Sequence, residues 1–229
     1  MLINKKKIIF VLGPYRSGTS MVSRLLENLG VDSGPKEALF PATNWNPAGY
    51  IQRPDITYFN TYLIEKSGGT LNAPGSPPEI CDTVLMSDFE KIDLSWILER
   101  DCVLIKDPRF CFTLNAWMNK APIEGYEFKI VRVMRNLDTN LKSALLHYDV
   151  REYCGPTIET ASRMLISYDE AAQWQCRASA VNHFLIQYED VLKNPSEIIM
   201  SLANFVGCKD QTSIASAINS IKLGRSIYR

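Results

Sequence analysis

The chain has 229 residues, enough for one α/β domain with a sizeable core. Hydrophobic residues make up 46% and charged residues 22%, the composition of a soluble globular protein. Lys+Arg and Asp+Glu both number 25, and that balance argues against a polyanion such as DNA as the main partner.

Lys5-Lys6-Lys7 precede an apolar, β-branched run, Ile8 to Leu12, which predicts a buried strand ending at Gly13-Pro14. The run is too short for a signal-peptide core or a membrane span, so the lysines read as a solubilising start to an edge of the first strand. Met21, Val22, Leu25, Leu26 and Leu29 then recur at helical spacing, and Gly30 sits where a helix would end. Between strand and helix lies Gly13-Pro14-Tyr15-Arg16-Ser17-Gly18-Thr19-Ser20, with the P-loop spacing G-x-x-x-x-G-K-[ST] except that Thr19 takes the lysine position. Glycines let consecutive N–H groups surround a phosphate, and the helix N-terminus behind adds partial positive charge. The nearest cation is Arg16, inside the loop. A plain Gly-Pro turn with a Ser/Thr cap is the ordinary alternative; the strand–loop–helix context with its embedded arginine favours anion binding.

Residues 31–80 are irregular and aromatic-rich, the composition of a lid or binding loop or of a surface excursion with its aromatics packed inward. Within them a short helix from about Asp55 carries Ile56, Phe59 and Leu63 on one face, and Lys66 to Pro78 reads as a loop. Ser87-Asp88-Phe89-Glu90 is a capping box that predicts a helix to Glu99-Arg100. A second strand, Cys102 to Ile105, runs into Lys106-Asp107-Pro108-Arg109, where Asp107 has the position of a Walker B aspartate. Glu127 to Met134 is the third strand, ending at Arg135. Asp138 is expected to cap a helix with Leu141, Ala144, Leu145 and Tyr148 inward and Ser143 off that stripe. A helix from Thr157 to about Arg177 and a fourth strand, Val181 to Gln187, follow, with His183 read as structural. Asn194-Pro195 then opens a helix that Gly207 closes. Strands alternating with helices predict an α/β fold, a doubly wound parallel sheet of four to five strands. Six cysteines without a C-x-x-C pair read as small packing residues in a reducing compartment.

The run Pro14 to Ser20 resembles the 5′-phosphosulfate loop of sulfotransferases that use 3′-phosphoadenosine 5′-phosphosulfate (PAPS), a family with the P-loop fold and a basic-Ser-Gly-Thr run at this place. Asn46-Pro47-Ala48-Gly49-Tyr50-Ile51-Gln52 is similar to the Asn-Pro-x-Gly-aromatic-aromatic-Glu run of many bacterial members, with Gln52 in place of the acid. Lys106 matches the lysine that meets the transferring sulfonate. The family's histidine, two residues on, is Pro108 here. Arg135 and Ser143 match the 3′-phosphate signature of Arg and Ser separated by seven residues, in which a guanidinium fork and a hydroxyl reach one phosphate. Tyr188-Glu189-Asp190 with Pro195 is a further trait, and Tyr188 matches a tyrosine packed near the adenine. Lys222, Arg225 and Arg229 loosely match a basic C-terminal phosphate-binding segment.

The resemblance implies one sulfotransferase-like domain over residues 1–229, with a substrate loop region at about 31–80. It implies PAPS as donor, 3′-phosphoadenosine 5′-phosphate (PAP) as product and no metal. Arg16, Ser17, Gly18, Thr19, Ser20, Arg135, Ser143 and Tyr188 would bind the cofactor, and Lys106 and Arg16 would act in transfer. The acceptor would be a hydroxyl or amine of a small molecule, sugar or lipid, and without a membrane anchor the enzyme would be cytoplasmic. The general base stays open among Asp55, Glu37, Asp107 and His147. Asp55 is favoured because it follows the aromatic loop and starts a helix. Two alternatives remain: an ATP-dependent P-loop kinase, which Asp107 would permit and Thr19 disfavours, and a non-catalytic nucleotide-binding protein.

Overall fold

A computed structural model of the chain describes residues 6–44, 46–47 and 49–224. Lys5, Ala48, Arg225 and Arg229 of the motifs above lie outside the described residues, as do the side chains of Tyr148 and Lys222. Four strands, β1 (Lys6–Leu12), β2 (Cys102–Lys106), β3 (Tyr126–Met134) and β4 (His183–Gln187), pair in parallel in the order β2-β1-β3-β4. The helices are α1 (Thr19–Asn28), α2 (Pro54–Lys66), α3 (Pro77–Thr83), α4 (Ser95–Leu98), α5 (Phe110–Lys120), α6 (Leu137–Leu146), α7 (Tyr148–Cys154), α8 (Ile158–Ala178), α9 (Tyr188–Lys193), α10 (Pro195–Val206) and α11 (Gln211–Gly224).

The period of two along β1 divides the core. Ile8, Phe10 and Leu12 face one layer, with residues of α2, α3, α5 and α8, while Ile9 and Val11 face another with residues of α1, α10 and α11. A central parallel strand covered on both faces reads as a continuous apolar run, which is what Ile8 to Leu12 is. β1 is therefore interior and not an edge. Lys6 and Lys7 at its start bond outward, to the carbonyls of Leu98 (2.9 Å) and Val206 (3.4 Å). Parallel pairing also brings the C-terminal ends of β1, β2 and β3 together, so the turns after Leu12, Lys106 and Met134 open on one side of the sheet.

Several elements differ from expectation. No single helix spans 87–100: a 3₁₀ turn at Met86–Lys91 is followed by the short α4. Asp88 explains this, because its carboxylate accepts from the Leu85 N–H (2.8 Å) and Tyr62 hydroxyl (2.7 Å) and pairs with Lys66 and Lys91. A second acid, Asp93, then accepts from the Ser95 N–H (2.8 Å) and starts α4 anew. The cap of α6 is Asn136, whose side chain accepts from the Asp138 and Thr139 N–H groups, and α6 stops at His147, before Tyr148. Helices α3, α5, α7, α9 and α11 were not expected. α5 is buried over most of its surface, and only the short stripe of Asn115 and Asn119 marks its period.

Trp117 on α5 is the centre of the larger core. It is fully buried and meets Phe10, Phe59, Phe89 and Phe110 edge to face at 5.2–6.5 Å, while its Nε1 donates to Asn60 Oδ1 (2.8 Å). Trp117→Ala should cost about 3–5 kcal/mol from lost burial and the resulting cavity. A urea titration will check this; a loss below about 1 kcal/mol would mean that the core repacks readily.

Candidate active site

The turn after β1 is shaped by three backbone conformations. Gly13 (φ +157°) passes so close to β3 that a Cβ would lie 2.2 Å from the Val133 carbonyl oxygen. Arg16 (φ +64°) is left-handed, and Gly18 (φ +101°) precedes α1 as its N-cap. Turns that alternate hand in this way direct successive N–H groups to one side, and here the N-terminus of α1 adds its dipole.

Arg16 is held by α6 and by the turn after β3. Its Nε donates to Ser143 Oγ (3.1 Å), and its carbonyl accepts from Arg135 Nη1 (3.0 Å). Asn140, with its side-chain nitrogen turned to the loop, donates to the carbonyls of Tyr15 (2.9 Å) and Arg16 (3.1 Å). The Arg135 guanidinium lies 4.3 Å from the Tyr188 ring centroid, and that ring packs so closely on Gly18 that a Cβ there would be 2.4 Å from its Cδ2. Residues predicted for opposite ends of a nucleotide thus form one cluster.

Lys106 ends β2, 4% exposed, and its Nζ donates to Gln52 Oε1 (2.6 Å). The other end of that amide donates to Asp107 Oδ2 (2.9 Å) and Thr57 Oγ1 (2.7 Å). Asp107 is fully buried and also accepts from the Thr57 hydroxyl (2.7 Å) and the Arg109 N–H (2.7 Å), with the Arg109 guanidinium at 3.4 Å. Burial lowers the Lys106 amine to about 7; Asp107 opposes the shift, and Arg16 and Arg109 add to it. Burial likewise pushes the Tyr15 hydroxyl up and the Arg16 guanidinium down, Arg135 adding to the latter. Arg109 is 5% exposed, and nearby Tyr15 and Asp107 outweigh its burial and raise it.

These groups border a cavity of about 650 Å³, within the range of small-molecule sites. Six cationic side chains line it: Arg16, Arg24, Lys106, Arg109, Arg135 and Lys142. No carboxylate does so among the described residues. Its other walls include Phe40, Tyr50, Pro108, Leu146, His147, Val150, Tyr153 and Tyr188.

Of the predicted cofactor residues, Arg16, Gly18, Thr19, Ser20, Arg135, Ser143 and Tyr188 border the cavity, as does Lys106. Ser17 does not: it is fully buried under the loop and its N–H donates to the Pro14 carbonyl (3.1 Å). Nor does the structure bring Asp55 to the cavity. Its carboxylate turns back onto Arg53 (2.5 Å) and the Ile56 N–H (2.8 Å), as an acid in a first helical turn does. Glu37 is exposed on a 3₁₀ turn (Lys36–Ala38) away from the lining, and the Asp107 carboxylate is committed behind Lys106. His147 alone of the four candidate bases lines the cavity. Arg24, Arg109, Lys142 and Asn140 were not among the predicted site residues. Arg109 adjoins the Lys106 motif, and Asn140 falls one turn before Ser143, so both had a positional signal.

The fold has known likenesses. The chain aligns over 98% of its length with 76% of the sulfotransferase STF1 from Mycobacterium tuberculosis H37Rv, at a TM-score of 0.51 and 12% identity. It aligns over 92% of its length with 76% of the sulfotransferase domain of the Synechococcus PCC 7002 olefin synthase, at 0.50 and 13%. No protein-family profile matches the sequence, and no curated protein does. The chain has the sulfotransferase fold: a parallel sheet between helical layers.

Lys106 supplies a pH test. Its folded value near 7 lies below the ordinary 10.5, so between those values the unfolded chain binds the extra proton. Stability due to this group should therefore rise with pH from about 7 to about 10.5, and Lys106→Met should lose that rise. Urea midpoints of both proteins at pH 7 and pH 9 compare them; parallel profiles would rule the shift out.

Proposed function

We propose that the chain is a PAPS-dependent sulfotransferase, moving a sulfonate to a hydroxyl or amine of a small-molecule, sugar or lipid acceptor and releasing PAP. One observation carries the reading: a neutral chain lines its large cavity with six cationic side chains and, among the described residues, no carboxylate. Such a wall suits a ligand with several negative charges, and PAPS is one.

The residues fit that donor. The N–H groups of the loop and the start of α1 would hold the 5′-phosphosulfate, with Arg16 and Lys106 beside it. Arg135 and Ser143 would take the 3′-phosphate, and Tyr188 would flank the nucleoside. PAPS supplies an activated sulfonate when bound. Arg16, Lys106 and the loop amides would then stabilise negative charge building on the leaving phosphate oxygen, in a site whose dipoles are already oriented. A bound anion also favours the charged form of Lys106, so donor binding would take up a proton there near neutral pH. The kinase alternative asks for an acid that holds Mg²⁺. Asp107 is committed to Gln52, Thr57 and Arg109 and stands outside the cavity lining. Among the described residues no helix is long and apolar enough to cross a membrane, and a cytoplasmic setting goes with the reading.

The donor test compares PAP with 5′-AMP, which lacks only the 3′-phosphate. Thermal shift should show a strong preference for PAP, since saturation at a hundred times Kd stabilises by about 2.7 kcal/mol. Arg135→Ala should remove most of the preference; because it also takes a donor from the Arg16 carbonyl, 5′-AMP should weaken too but by less, and the double difference separates phosphate recognition from damage to the loop. Equal weakening of both ligands would make Arg135 structural. A wild type indifferent to the 3′-phosphate would defeat the PAPS reading.

A further inference from the structure

Sulfonation of a neutral hydroxyl releases a proton, and the cavity has few groups able to receive it. Its described lining holds no carboxylate, and Asp107, Asp55 and Glu37 are all directed elsewhere. Burial keeps the Tyr15 proton in place. Lys106 lines the cavity with Arg16 and Arg109, where the donor's charge would collect, which commits its nitrogen to a proton once that anion arrives.

His147 remains. It is 4% exposed and lines the cavity at the junction of α6 and α7. Asn140, Ser143 and His147 are spaced three and four apart, so they follow one face along α6 and its C-terminal junction. That face meets the loop, since Asn140 donates to the carbonyls of Tyr15 and Arg16, and Ser143 accepts from the Arg16 side chain. His147 follows Ser143 by four residues, and Val150 and Tyr153 of α7 line the same cavity.

We propose that His147 is the general base and that the acceptor is a hydroxyl compound seated against His147, Val150 and Tyr153. This rests on the sulfotransferase reading. As the acceptor oxygen bonds to sulfur, its proton passes to an imidazole nitrogen. The sulfur–oxygen bond to the phosphate breaks, and its electron pair stays on PAP. The imidazolium then loses its proton to solvent.

The test measures PAP release from PAPS with 4-nitrophenol, a methyl glycoside, a long-chain alcohol or water as acceptor. Wild type, His147→Ala and His183→Ala are compared; His183, the chain's other histidine, is exposed on β4. Turnover of His147→Ala should fall on the order of 10²-fold or more, the usual contribution of a general base. Its thermal stabilisation by PAP should match wild type, and added imidazole should restore part of the rate. His183→Ala should behave as wild type. A His147→Ala rate within about threefold of wild type overturns the proposal. So does a fall without imidazole rescue, or one matched by lost PAP stabilisation, because either assigns His147 to structure. His147→Gln, close in size and still polar, guards against misfolding: wild-type turnover in that variant also overturns it. If wild type binds PAP but releases none from PAPS with any acceptor, the sulfotransferase reading fails and this proposal with it; PAP release unaffected by the His147 variants defeats the proposal alone.

Discussion

Arg16 occupies a left-handed conformation that costs a non-glycine residue about 1–2 kcal/mol and persists only where its surroundings hold it. Here the holders are α6 and the turn after β3: Asn140 and Arg135 donate to carbonyls of residues 15 and 16, and Ser143 accepts from the guanidinium. The loop is thus imposed by tertiary contacts and not by its own sequence alone. Its N–H array, the position of the Arg16 charge and the seat of Tyr188 against Gly18 all follow from that pinning. Gly13 and Gly18 are glycines for the complementary reason that β3 and Tyr188 leave no room for a Cβ.

Gathering Lys106, Arg16, Arg109 and Arg135 around one cavity with no lining acid among the described residues works against stability, since like charges repel and burial removes water from them. The fold compensates locally. Asp107 pairs with Arg109 from behind, Tyr188 presents its π-face to Arg135, and Gln52 gives Lys106 a neutral acceptor. None of these neutralises the side facing the cavity. Uncompensated charge at one place in an otherwise ordinary core is what a binding site for an anion asks of a fold.

The parts legible from sequence were those whose period is local. Strand, loop and helix from Ile8 to Leu29 showed because an apolar run gives way to spacing of three and four, and the strand ends at Lys106 and Arg135 showed because charge abruptly follows apolar residues. What escaped depends on convergence. That Ser143 meets Arg16 follows from α6 crossing the loop, a relation between residues 127 positions apart. That Asp55 turns back onto Arg53 follows from its place in the first turn of α2, where Ile56 offers an N–H and Arg53 a cation. Starting a helix was the argument for Asp55 as a base, and it is also why the carboxylate is occupied. α5 hid because burial on most sides left only Asn115 and Asn119 to mark its period, and the 87–100 helix failed because Asp88 spends its oxygens on tertiary partners.

Gln52 shows how a single departure from a motif reorganises the chemistry around it. The position lies between an amine that needs an acceptor and a carboxylate that needs donors, and a side-chain amide has one of each. A glutamate here would set its carboxylate against Asp107 across the 2.9 Å that the amide N–H now bridges, so one acid would have to stay protonated. With glutamine the pair is relaxed and Lys106 meets a neutral acceptor, so nothing at 52 offsets the burial that lowers its amine to about 7. The same exchange removes a carboxylate that could have taken a proton from an acceptor. A neutral amide at 52 therefore makes the cavity more avid for an outside anion and leaves no acid at that position to take a proton, while α6 ends at His147 in the same lining.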